Sequence, residues 1–526
     1  MTTALCLRCN CRCRVLPQVQ AIPAATVPET AEMPKRPDFE VHVSADTAFT
    51  AFEEAVLDAR HQLLGGFRIF DMRTPLVSEA GRAVGETWFD LLLHVARRGV
   101  RIDLTLSDFD PVYADALHRQ TWSTVKQGAA LAEVADAAPG QVRVRAALHP
   151  STPGLLPWLT FLPVTLRKAS ARRARLSAEA LREAPGLHSE LPRLHPVSHH
   201  QKLAVIDDDA LYIGGLDLNA RRYDTPDHDR PAEQTWSDVQ VMVRNDPAVA
   251  EAKAHLRSFD TIVRGQAAPP ATTHVRRTLS ANRRIKLPFL SPRTVLSEIE
   301  ALHLDAIGAA RHLIYLETQF MRSHRIADAL AEAAQARSDL TLILVLPALP
   351  EPAAFEQSQE LALETRYGMG LEREALQIIR AGFGARATVA APVQPIMATR
   401  DSTATLAGSP IIYVHNKVLV RDDDYAFVGS ANMNGRSLRW DTEAGLVITQ
   451  ADRLATLRDA LFAHWWRTPL HADWVDPARM QPIWQAEIRR NDVRGPDARH
   501  GFLVSHDASL HAAEGQNLPL VTGDMV

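Results

Sequence analysis

The alternation of apolar and polar positions predicts a chain that runs through the same order of elements twice. In the first pass, a helix is expected from about Asp46 to Leu64, then a strand at Phe67–Phe70. A helix over Thr87–Arg98 stops at Gly99, which suits a left-handed C-cap. Alternating Val100–Leu106 predicts a strand, followed by a helix near Tyr113–Ala135 and a strand at Val142–Ala146. The second pass predicts a helix at Val295–Ala310, a strand at Leu313–Leu316 and a helix at Ile326–Ala336. A strand at Leu340–Leu346, helix over 348–385, a strand from Val389 and a helix at Asp452–Trp466 complete it. Strands alternating with helices predict an α/β chain with a mostly parallel sheet in each half, covered by helices. Trp236–Val243 also reads as a strand, and residues 475–526, without clear periodicity, read as a polar tail.

Two short strands carry the candidate chemistry. Leu203-Ala-Val-Ile206 follows His200-Gln-Lys202 and ends at Asp207, with Gly214-Gly-Leu-Asp217 beyond it. Val418-Leu-Val420 follows His415-Asn-Lys417 and ends in Arg421-Asp422, with Gly429-Ser-Ala-Asn432 beyond it. Each matched pair, His200 with His415 through Asp217 with Asn432, lies 215 positions apart. One His-x-Lys alone reads as a solvated surface strand. A second copy in register implies two similar half-domains, and such halves pack about a pseudo-twofold axis. That packing brings two imidazoles and two ammoniums to one site between the halves. There the lysines can neutralise phosphate oxygens while one His attacks phosphorus and the other protonates the leaving oxygen. Asp238 and Glu443, on the strands after each motif, are candidates to hold the far nitrogen of each ring. Asp207 and Asp422 are expected to fix the hairpins and lysines, and Asp217 to face away or pair with Arg221.

At these residues the sequence resembles the phospholipase D superfamily, whose mark is a duplicated HxKxxxxD with a downstream GSxN. The second copy, from Ile412 to Asn434, matches that pattern almost letter for letter. The first copy, with Gly214-Gly-Leu-Asp-Leu218, resembles the form in phospholipases D proper rather than the GGxNIG-like form of cardiolipin synthases. Leu313-Ile-Tyr-Leu-Glu317-Thr-Gln319-Phe320 resembles the family's YIENQF strand. The resemblance implies two α/β/α-sandwich domains, at 41–268 and 269–474, between a disordered leader at 1–40 and the tail at 475–526. It implies His200 as nucleophile and His415 as acid, with Lys202, Lys417, Asn219 and Asn434 at the oxyanion. Ser430 and Asn432 support the site, and no metal or other cofactor is needed because the lysines supply the positive charge. The expected activity is hydrolysis of phosphatidylcholine-type lipids to phosphatidic acid, with transphosphatidylation where an alcohol replaces water. The alternatives are a cardiolipin-synthase-type transferase, a nuclease of the same fold, and an idle lipid-binding protein. The Gly-Gly-Leu-Asp-Leu form and the lack of an apolar spanning run argue against the first. Two complete motifs argue against the last.

Composition narrows the setting. The net charge of −4 argues against electrostatic nucleic-acid binding, so no nucleic-acid partner is expected. No run of about 18 apolar residues predicts a spanning helix, and no secretory signal is evident, so location stays open. Cys6, Cys9, Cys11 and Cys13 all precede residue 14, which leaves the body without a disulfide, and that cluster reads as part of the leader. Gly154 to Leu166 is apolar and interrupted by proline, and Arg167, Lys168, Arg172, Arg173 and Arg175 follow at once. Such a stretch suits either a phospholipid surface or an ordinary packed loop and solvated helix. We expect a monomer that meets its phospholipid substrate at a membrane surface through residues 154–175.

Overall fold

Seven strands build the first sheet: β1 (Phe39–His42), β2 (Gln62–Phe67), β3 (Arg101–Ser107), β4 (Val142–Ala147), β5 (Lys202–Ile206), β6 (Ala210–Gly214) and β7 (Gln240–Arg244). Their spatial order is β1-β7-β6-β5-β2-β3-β4. The second half supplies β8 (Val275–Ala281), β9 (Arg293–Ser297), β10 (Leu313–Thr318), β11 (Thr341–Val345) and β12 (Ala387–Pro392). A small pair, β13 (Thr405–Leu406) and β14 (Ser409–Pro410), stands apart. Then come β15 (Lys417–Arg421), β16 (Tyr425–Gly429), β17 (Glu443–Ile448) and β18 (Leu503–Ser505). The order β18-β12-β11-β10-β15-β16-β17-β8-β9 repeats the first sheet's order strand for strand and adds one strand at each edge. The computed structural model describes residues 36–176, 193–289, 291–356, 361–507 and 509. Residues 1–35, with the four cysteines, and the tail from 510 onward lie outside the described residues; the end of the expected 1–40 leader is ordered, because Phe39–His42 pairs with β7 as strand β1.

The α/β reading with two sister sheets holds, and one part of it needs correction. Parallel pairing is confined to β2-β3-β4 and β10-β11-β12, where helices make the crossovers. The motif strands β5 and β15 run antiparallel both to β2 and β10 and to their hairpin partners β6 and β16. The sheets are therefore mixed. One apolar core runs through both halves: Leu203, Val205 and Leu211 of the first share it with Val418, Val428 and Leu446 of the second. Accordingly, the described residues from Asp38 onward form one compact unit. Among the described residues, no helix is long and apolar enough to cross a membrane.

Several local expectations shift. The first helix ends at Asp58, and Leu63 and Leu64 belong to β2, where a Cβ on Gly65 would come within 2.8 Å of Leu104. Strand β2 ends at Phe67, which frees Arg68 to Phe70 to bend away. Residues 293–297 form β9, so the expected 295–310 helix spans only Glu298–Ala309. Pro163 does not break the helix Leu155–Arg173. The 475–526 stretch is more than a polar tail: Met480–Val493 is a helix and Leu503–Ser505 is the edge strand β18. Trp484 and Ile488 bury one face of that helix in the common core, a pattern too short and too mixed with charge to read from periodicity.

Candidate active site

The two motifs meet because the chain crosses between halves just before each functional residue. The His200 N–H donates to the Thr442 carbonyl at 2.8 Å, and the Thr442 N–H donates to Ser198 at 3.0 Å. Symmetrically, the Ser237 N–H donates to Tyr413, and the His415 N–H donates to Ser237, both at 2.8 Å. This is why β7 begins at Gln240 rather than Trp236: residues 236–238 serve the seam, not the sheet.

Each imidazole is held by a carboxylate from the opposite half. His415 Nδ1 lies 2.6 Å from Asp238 Oδ2, and His200 Nδ1 lies 3.0 Å from Glu443 Oε1. With each Nδ1–H engaged, each Nε2 is the nitrogen left for a ligand. The carboxylates and lysines are almost wholly buried. Burial, against the opposing charge of Lys417, pushes Asp238 up to about 7. Burial, against Lys202, pushes Glu443 up to about 8. Burial and the nearby lysines hold both histidines well below their ordinary range, so the imidazoles are neutral. Burial also holds Lys417 down to about 7, against Asp238.

The remaining predicted residues have distinct places. Lys202 and Lys417 donate to the carbonyls of His200 and His415, two residues back on the same side of the strand. Ser430 Oγ donates to Glu443 and accepts from the Ala444 N–H at 3.1 Å. Asn219 and Asn434 each cap a helical turn with Oδ1, accepting from Arg222 N and Ser437 N, which leaves Nδ2 as the donor. Asn432 donates to Gln319 at 3.3 Å. Asp207 accepts from the N–H groups of Arg60, His61 and Gln62, while Asp422 accepts from Arg311, His312 and Leu313. These aspartates clamp the starts of β2 and β10. Seven residues of extended chain put each roughly 20 Å from its histidine, so neither sits at the reacting centre.

One pairing differs from expectation. Asp217 does not meet Arg221, whose partner is Glu351 at 2.9 Å. Asp217 instead accepts from the Ile69 N–H at 3.1 Å and pairs with Arg68 at 3.4 Å, 3.9 Å from Lys202. The buried carboxylate is offset by the two cations that flank it. Two residues were missed in sequence. Arg68 follows β2, and no charge pattern marks it. Trp236 stacks its ring 4.6 Å from that of His415, with the Arg222 guanidinium 3.6 Å over its face. Its only signal was its place two residues before Asp238. Among the described residues, no group of three or more His, Cys, Asp or Glu could hold a metal ion.

Paired neutral imidazoles, each braced across a seam of two sister halves with a lysine beside it, can act as nucleophile and as acid or base next to fixed positive charge. The family described as "Cardiolipin synthase, PLD-like domain" matches residues 303–466. Among curated proteins, phospholipase D1 of Saccharomyces cerevisiae is 23% identical over 349 residues, 49% of this chain and 21% of that protein. Phospholipase D1 of Schizosaccharomyces pombe is 24% identical over 345 residues, 49% of this chain and 25% of that protein. The matched region thus spans a quarter or less of either yeast protein. The phosphatidylserine synthase of Haemophilus influenzae Rd KW20 is a structural neighbour at 12% identity, with 91% of this chain and 89% of that one covered and a TM-score of 0.47. The chain is thus similar to proteins named phospholipase D, and its residues 303–466 match a PLD-like domain.

Proposed function

We propose that the protein cleaves the head-group phosphodiester of glycerophospholipids through a phosphohistidine. The observation that carries this reading is the reciprocal bracing, His415 by Asp238 and His200 by Glu443. His200 Nε2 attacks phosphorus, following the family pattern, and the bond to the head-group oxygen breaks as His415 supplies its proton. His415 then takes a proton from water, whose oxygen attacks phosphorus and breaks the P–N bond. Phosphatidic acid leaves and His200 is restored. Both rings are neutral because burial, and then the nearby cations, disfavour the charged form. An arriving phosphodiester adds negative charge, which favours the protonated acid that the first step needs. Lys202 and Lys417 carry the charge that builds on the non-bridging oxygens.

Phosphatidyl transfer is the second reading. An alcohol in place of water passes the phosphatidyl group on by the same steps, and the matching family's description names a synthase. Incubation with phosphatidylcholine and ethanol tests both: choline with phosphatidic acid reports hydrolysis, and phosphatidylethanol reports transfer. His200→Asn and His415→Asn should each abolish both products while the fold is kept. Absence of both products from folded wild-type protein, or near-normal turnover by either variant, refutes the reading.

A further inference from the structure

The helix Leu155–Arg173 leaves apolar side chains in solvent. Leu155, Leu156 and Leu159 are each about half exposed. A second segment, distant in sequence, does the same beside it: Ile285 is 78% exposed, Leu287 53% and Phe289 42%. The two are built as one surface. The Gly154 N–H donates to Phe289 at 2.7 Å, the Leu156 N–H donates to Leu287 at 3.1 Å, and Lys286 Nζ donates to Thr152 at 2.8 Å. A Cβ on Gly154 would fall 1.6 Å from the Lys286 carbonyl, so only glycine lets the segments lie this close.

Cations edge the patch. Arg167, Lys168 and Arg284 are exposed, and Arg283 stacks on Phe289 at 4.3 Å. The chain as a whole carries −4, so this local excess runs against the global balance. The helix is also tied to the site. Thr165 shares a hydrogen bond with Tyr113 at 2.9 Å, and Arg172 pairs with Asp115. Phe109 of the same loop lies under Arg68, 5.4 Å from its ring centre, and Arg68 pairs with Asp217.

We propose that this two-segment patch is the surface by which the protein docks on an anionic phospholipid bilayer, with the helix lying in the interface plane. Apolar side chains edged by lysine and arginine match the acyl boundary and the charged head groups together. A second copy of this chain fits poorly, because a twofold contact through the patch would set its cations against themselves. The inference rests on the proposed lipid activity for its purpose, but not for its test.

Sedimentation with vesicles of phosphatidylglycerol in phosphatidylcholine, every form carrying His200→Asn to stop turnover, measures docking alone. Leu159→Glu with Leu287→Glu should weaken vesicle binding at least about tenfold. Arg167→Gln with Arg284→Gln should weaken it roughly 25-fold, at about fivefold per cation. With His200 kept, both patch variants should turn over a short-chain phosphatidylcholine, held below its micellar concentration, at the wild-type rate. The proposal is overturned if the His200→Asn parent fails to sediment, or if either patch variant sediments like it. It is also overturned if light scattering shows a wild-type dimer that Leu159→Glu with Leu287→Glu dissociates. If no form turns over the monomeric substrate while the binding losses appear as stated, the docking surface stands and the proposed activity falls.

Discussion

Asp238→Asn separates the chemical steps. The variant keeps the shape of the side chain 2.6 Å from His415 Nδ1 but removes its charge. With charge centres about 4 Å apart, the attraction between an imidazolium and this carboxylate is about 4 kcal/mol at an effective dielectric of about 20. A neutral amide oxygen still accepts the hydrogen bond and returns about 1 kcal/mol. The net loss of about 3 kcal/mol predicts a fall of about 10²-fold in kcat for phosphatidylcholine, where His415 must protonate a poor leaving group. A p-nitrophenyl phosphodiester has a leaving group that needs little protonation. Its first step should be nearly spared, while the second step, in which His415 activates water, stays slow. Stopped-flow absorbance should therefore show a burst near one equivalent of p-nitrophenol, then slow turnover. Equal loss on both substrates without a burst, or near-wild-type turnover of phosphatidylcholine, refutes the assignment of His415 as acid and Asp238 as its support.

Phosphate binding should take up a proton above neutral pH. Burial holds Lys417 down to about 7, and an anion beside it raises that value, so affinity should fall as pH rises past about 7. Calorimetry at pH 8 in buffers of different ionisation enthalpy reads the uptake, and a buffer-independent heat would contradict it. Asp422→Ala should cost about 2–3 kcal/mol of stability by orphaning three backbone N–H groups, seen as a melting temperature lower by a few degrees, with kcat of the folded protein unchanged. Gly215→Ala should lower kcat at least about tenfold with little change in KM, because the new Cβ would sit 2.2 Å from Asp238 Oδ1 and displace it from His415. An unchanged kcat there would show that the carboxylate can shift without cost.

Much of this protein was legible in its sequence. The register of 215 positions identified both histidines, both lysines and both clamping aspartates, because tight hairpins keep fixed spacing wherever the hairpin recurs. The alternation of strands and helices announced two sister sheets, and the strand order repeats as that implied. Asp238 and Glu443 were identifiable as candidate braces from their place after each motif, although Asp238 lies just ahead of β7 and Glu443 opens β17. What local pattern could not carry was the set of partners. Glu443 serves His200 of the other half and Asp238 serves His415, a crossing made by the hydrogen bonds of Ser198, Ser237, Tyr413 and Thr442 across the seam. The parallel bias was overestimated because each motif hairpin inserts antiparallel strands that period alone does not orient. Asp217 found Arg68 rather than nearby Arg221, since the bend after β2 brings Arg68 to it from 149 positions away. Periodicity and spacing are properties of neighbours along the chain, and they determined the hairpins and the chemical groups. Which groups face one another depends on contacts between halves more than 170 residues apart, and only the tertiary structure decided it.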